Sequence, residues 1–225
     1  MGSNTTTSIK GRRPNKKALS PALQKLEDDF IKAGGEWKEV ALEKLFRASN
    51  GDFDIKKEHL SEIGHYVVTA GETNAGVAGK TTVTAKVFSQ NTITIDMFGT
   101  PFYRNFEYKM VTHARVFSLK AKEEFSKEVM MYLSVSLQFL KKMFGYENMC
   151  SWIKIKELNI KLPYIHTKIA KGYMESYIKT LEAERIETLE AYLTVTGLKD
   201  YHLTEKDKET LDKFAKLTDT QSRVE

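Results

Sequence analysis

From residue 167 to about 196 the chain runs without a proline, and Gly172 is the only glycine before Gly197. A breaker-free run of roughly 30 residues predicts one helix of about 40 Å at ~1.5 Å per residue, long for a chain of 225 residues. Tyr173, Met174, Tyr177, Ile178, Leu181, Leu189 and Tyr192 make an apolar stripe along it, while Lys179, Glu182, Glu184, Arg185 and Glu187 decorate the remaining surface. Two packings fit this pattern: the stripe lies wholly on the chain's own sheet, or it takes a partner helix.

Ahead of that helix the hydrophobic period changes twice. "PALQKLEDDFIKA" follows Ser20 with proline in the first turn, and its apolar residues recur at helical spacing until Gly34 and Gly35. "EWKEVALEKLFRASNG" gives a short strand or helical turn before a turn signal. Alternation then predicts strands in "TTVTAKVF", in "NTITIDM" and over 106–116, the last with Glu107, Lys109, His113 and Arg115 on a polar face. Phe125, Val129, Leu133, Leu137, Leu140 and Phe144 return to a helical period that stops at Gly145. "WIKIKELNIKLP" suits a return to the sheet, and "HLTEKDKETLDKFAKL" a last short helix with Thr204 as cap and Asp207 opposite it. The expected class is α/β (α+β): a mixed twisted sheet with packed helices, then the long helix. The expected segments are a disordered basic leader (1–20), a helix (21–35), a sheet domain (36–165), the long helix (166–197) and a short helical tail (198–225).

Charge and composition narrow the function. The net charge of +5 is carried by the first 17 residues, where Lys10, Arg12, Arg13, Lys16 and Lys17 meet no acid, leaving 30 basic against 30 acidic residues elsewhere. Phosphate contact by the body must therefore come from local placement of Lys and Arg. Apolar runs of four to five residues, as in "HYVVTA", fall far short of the ~20 needed to cross a bilayer. Cys150 is the only cysteine, which excludes an intramolecular disulfide and a cysteine-built zinc site. The expectation is a soluble cytoplasmic protein without a membrane partner.

The chemical motifs are incomplete. "AGVAGKTT" ends like a phosphate-binding loop, but Asn74 stands where its first glycine belongs, and a strand pattern follows instead of a helix. "DMFG" lacks every other kinase element. Asp52, Asp54 and Lys56 are too compressed for a nuclease metal set, and His59, His65, His113, His166 and His202 have no metal-ligand spacing. No catalytic residue, metal site or cofactor is expected. A recognition surface remains: a hairpin whose tip carries Tyr103, Arg104 and Asn105, backed by Lys109, His113 and Arg115. Arg and Asn suit base edges, aromatics stack, and Lys or His meets phosphate.

The ordered phrases "GEWKEVALEKLF", "YVVTAGETNAGVAGK", "NTITIDMFGTPFYRNFEYKMVTHARVFSL" and "IKIKELNIKLP", followed by "YMESYIKTLEAERIETLEAY", resemble the specificity (S) subunits of type I restriction-modification systems and related type II recognition domains. The resemblance covers roughly residues 36 to 217. It implies a target-recognition domain that inserts loops into double-stranded DNA, with Thr73, Asn74, Lys80, Tyr103, Arg104, Asn105, Lys109, His113 and Arg115 as reading residues and Lys142 and Tyr146 as flanking contacts. It also implies a spacer helix that pairs with another through Tyr173, Met174, Tyr177, Ile178, Leu181, Arg185, Leu189 and Tyr192 and docks methyltransferase and restriction subunits. Usual S subunits carry two such sets and this chain carries one, so a half-subunit that pairs as a homodimer, or a piece of a larger chain, is expected. The rival expectations are an enzyme, either a nuclease or a DNA methyltransferase accessory fragment, and a helical adaptor that binds only protein.

Overall fold

The computed structural model describes residues 19–199 and 202–220, with side chains to 212. Nearly all of the expected leader lies outside the described residues; its last member, Ser20, accepts a hydrogen bond from Leu23 N–H and caps helix α1 (Pro21–Lys32), whose first residue is the predicted proline. Strand β1 (Gly35–Ala41), the one-turn helix α2 (Leu42–Leu45) and β2 (Phe46–Asn50) divide the segment for which strand and helical turn competed. Strands β3 (His65–Val68), β4 (Val77–Thr81), β5 (Thr92–Ile95), β6 (Pro101–Arg104), β7 (Tyr108–Met110) and β8 (Phe117–Ala121) follow. Helix α3 (Lys127–Ser136) passes into a 3-10 segment over Gln138–Lys142, so the predicted helix 125–144 is shorter and tightens at its end. Helix α4 (Trp152–Ile155), β9 (Asn159–Ile165), β10 (Lys168–Ile169), α5 (Lys171–Val195) and α6 (Glu205–Thr220) complete the order.

The class is the expected mixture of α and β, distributed over three sheets ordered β1-β9-β10, β2-β8-β5-β6 and β4-β3-β7. All pairings are antiparallel except β3 with β7. Two apolar clusters form. Ile93, Ile95, Phe117 and Leu119 meet Val129 and Leu133 of α3 and Leu137 just after it, together with Leu162 and Met174. Val67, Val68, Met110 and Val116 pack with Ile55 in the second.

Over β5 and β7 alternation fails to mark a solvent face, because both sides are buried. In β5 the threonines are as buried as the isoleucines, because Thr92 and Thr94 face a polar layer in which Tyr108 Oη lies 2.9 Å from Thr92 Oγ1 and donates to Ser118 Oγ at 2.7 Å. Burial raises the Tyr108 pKa above the usual phenol range. The predicted strand 106–116 is instead the three-residue β7, whose side chains are all buried, followed by a turn at 112–115. "TTVTAKVF" contributes only the end of β4 and an isolated bridge from Phe88 to Tyr108. The part of "WIKIKELNIKLP" before β9 is the short α4, not strand.

The long helix spans 25 residues, and the chain divides into two units at Thr180, inside it. Tyr173, Met174 and Ile178 are buried. Farther along, Ile186, Leu189, Tyr192 and Val195 are exposed. Thr204 and Asp207 make the predicted reciprocal cap at the start of α6: Asp207 Oδ2 accepts from Thr204 N–H at 2.9 Å, and Thr204 Oγ1 accepts from Asp207 N–H at 3.2 Å.

Candidate nucleic-acid interface

Parallel pairing of β3 with β7 sends the segments that follow them out at the same end of the sheet, and Val111 N–H donates to Val68 O at the exit. The first is the loop 69–76. It turns through three successive left-handed residues, Asn74 (φ 47°), Ala75 (φ 50°) and Gly76 (φ 73°), and exposes Thr73 and Asn74. Two residues with a Cβ in that region cost free energy, a feature that collects at functional loops. The second is the turn 112–115, where Arg115 (φ 51°) is exposed and His113 Nδ1 lies 2.6 Å from Asp54 Oδ1. Hydrogen bonding from His113 holds the Asp54 carboxyl below the usual carboxylate range.

A third turn, 96–100 between β5 and β6, braces the first loop. Buried Asp96 accepts from Phe98 N–H (3.0 Å) and Thr100 N–H (2.9 Å) within its own turn and from Gly71 N–H (3.0 Å) across it. Gly99 is required there: its φ is 77°, and a Cβ would stand 2.8 Å from Leu140 O. Lys141 Nζ pairs with Glu72 at 2.6 Å, Cys150 N–H donates to Met97 O at 2.7 Å, and the rings of Phe98 and Tyr146 meet edge to face at 5.0 Å. Loop 69–76, turns 96–100 and 112–115 and the segment 138–154 thus form one connected region. A cleft of about 760 Å³ opens in it, lined among others by Asn50, Arg115, Tyr146, Trp152 and Lys154. Cys150 also lines it; burial, reinforced by the charge of Asp96, pushes its thiol up to about 12.

Of the residues expected to read DNA, Thr73, Asn74, His113, Arg115, Lys142 and Tyr146 are exposed in this region. The others are not brought to it as solvent-facing groups. The hairpin tip is the turn 96–100, so Tyr103, Arg104 and Asn105 sit at the opposite end, where Arg104 pairs with Thr92. Tyr103 is half-buried and donates to Asn91 Oδ1 at 3.2 Å, and Asn105 is exposed away from the tip. Arg104 is 2% exposed, and its Nε donates to Thr94 Oγ1 at 2.9 Å. Lys109 is buried with its ammonium on Val83 O, and Lys80 lies over the Tyr66 ring at 5.2 Å. Along the long helix, Tyr173, Met174 and Ile178 belong to the domain's interior and Tyr177 is half-buried; Arg185, Leu189 and Tyr192 are exposed and Leu181 is half-buried.

Asp96, Glu72, Lys141 and Asp54 went unrecognised as site residues. For Asp96 the signal was present, since an Asp followed by Gly three residues on is the pattern of a side chain that caps its own turn. The ion pair and the Asp54 contact join residues 69 and 59 positions apart and leave no local signature. Among the described residues, no group of three or more His, Cys, Asp or Glu could hold a metal ion, and no helix is long and apolar enough to cross a membrane.

Residues 34–191 match the family model described as the type I restriction modification DNA specificity domain. The chain belongs to this family. Two solved structures share the fold of the specificity domain. One is the S subunit of a type I restriction-modification system from M. genitalium (17% identity, TM-score 0.54, covering 81% of this chain and 50% of that one). The other comes from work on complex assembly and conformational transition of the type I restriction-modification system (12% identity, TM-score 0.51, covering 81% and 44%). This specificity-domain chain therefore spans half or less of the length of either. No curated protein matches it.

Proposed function

We propose that this chain is a sequence-specific DNA-recognition subunit, acting in the cytoplasm, that reads one half-site for a restriction-modification complex and carries no catalytic group or cofactor of its own. The observation that carries the reading is the single connected region built by loop 69–76, turns 96–100 and 112–115 and segment 138–154, in a chain of the specificity-domain family. Thr73 and Asn74 offer hydrogen bonds to base edges from a braced loop, while Arg115, Lys142 and His113 meet phosphate and Tyr146 stacks or wedges. Arg185, Leu189 and Tyr192, with Ile186 and Val195, form the surface through which α5 pairs with a second copy, so that a two-fold dimer reads a symmetric interrupted site. The methyltransferase subunit, and with it the restriction subunit, supplies the chemistry.

The test is equilibrium binding of the purified chain to random-sequence duplex DNA across a salt series. Binding that weakens steeply as salt rises is expected. Absence of affinity at low salt, or turnover of DNA by the chain alone with Mg²⁺ or S-adenosylmethionine, overturns the reading. Co-elution of a methyltransferase encoded beside this chain tests the assembly.

A further inference from the structure

Arg104 is costly to this fold. It is 2% exposed, its guanidinium lies over the rings of Phe102 (5.1 Å) and Phe106 (5.9 Å), and among the described residues no carboxylate pairs with it. Burial pulls its pKa down to about 10, which leaves it cationic at neutral pH. A buried cation without an anion is paid for elsewhere in the fold, and an apolar side chain of similar volume would serve stability at least as well. What the guanidinium does reach is the reading loop. A Cβ built on Gly76 would lie 3.5 Å from Arg104 Nη2, 2.8 Å from Thr69 O and 3.1 Å from Gly71 O. The charged group therefore ends beside the inner face of the loop 69–76, at a left-handed glycine with no side chain in the way. Directly above, Asn74 and Ala75 hold conformations that persist only where their surroundings over-determine them.

We propose that Arg104 is a positioning residue for target choice: seated beneath Gly76, it fixes the shape in which residues 73–75 meet base edges and does not itself touch DNA. The inference rests on the reading above that this face binds DNA. The planar guanidinium donates to Thr94 and lies over the two phenyl rings, a seating that a lysine ammonium cannot reproduce.

The full chain, Arg104→Met and Arg104→Lys are compared in two experiments. In amide hydrogen exchange without DNA, both variants should lose protection over 71–77 while β5 and β8 keep theirs. In selection from a pool of randomised duplexes, the parent should enrich a sequence and Arg104→Met none. Its affinity for the unselected pool and the slope of log K against log salt should stay unchanged. Unaltered exchange over 71–77, enrichment of the same sequence by Arg104→Met, full rescue by Arg104→Lys, or loss of protection throughout the sheet overturns the proposal. A uniform loss of affinity with a slope shallower by about 1 overturns it in favour of a phosphate contact. If the parent itself enriches nothing, the DNA reading fails, and the exchange experiment still decides whether Arg104 holds the loop.

Discussion

Tyr108 and Asp54 show how single groups hold the candidate interface. Tyr108 is fully buried, and its hydroxyl joins Thr92 on β5 to Ser118 on β8. Tyr108→Phe keeps the ring but leaves Ser118 without that donor, while Thr92 still donates to Ser89 O. A loss of about 1–3 kcal/mol is expected from urea unfolding, the range for a buried polar group deprived of its partner. Asp54 acts at the surface. Its carboxyl is held below the ordinary value of 3.8, first by the His113 hydrogen bond, so the fold favours the ionised form. The restraint on turn 112–115 is therefore complete above the ordinary value and lost as pH falls through the lowered one. Amide protection in that turn should persist at the ordinary carboxylate value and fall off only as pH drops below it, and Asp54→Asn should abolish this pH dependence.

At the level of elements, α5 has two characters within one continuous helix. Met174 is fully buried in its first turns, and Met174→Ala should cost about 2–5 kcal/mol in denaturant unfolding. Leu189 and Tyr192 are more than half exposed, and replacing both by Ser should leave the melting temperature nearly unchanged while shifting a dimer to monomer in sedimentation. A variant that sediments like the parent counts against pairing through this surface. The helix was legible because nothing from 173 to 196 breaks it. The extent of its buried part was not, because Tyr173, Met174 and Leu189 all read as one stripe, and only the packing partners, such as Phe30 beside Tyr173, separate them. The hairpin was legible too, but its tip was displaced. "FYRN" has more recognition chemistry than "DMFGT", yet Asp96 and Gly99 decide where the chain reverses. Alternation misled over 106–116 because Tyr108, Lys109 and Met110 are all buried, so polarity no longer distinguishes faces.

For the molecule as a whole, a body with 30 basic and 30 acidic residues beyond its first 17 cannot attract DNA by bulk charge. Attraction depends on where the unsatisfied cations lie. Lys141 is exposed but paired with Glu72, Lys109 is buried and exposed Lys154 is spent on Asn148 and Met149 O, which leaves Arg115 and Lys142, among the described residues, as the region's exposed cations outside such contacts. Arg115→Ala with Lys142→Ala should reduce the salt slope by about 2 and weaken binding to all sequences alike. An unchanged slope would place the phosphate contacts elsewhere. Such selection of a few cations by burial is invisible in composition, because every lysine looks equally free in a sequence.

The pairing of β1 with β9 brings Gly35 opposite Ile165, so two points far apart in the chain lie side by side at one end of the ladder. Tension applied between those two points would load the seven-pair ladder from its open end and part its hydrogen bonds one after another instead of shearing them together. The domain should accordingly yield at low force when stretched between 35 and 165, and resist far longer when stretched between 35 and 159, where the same bonds share the load.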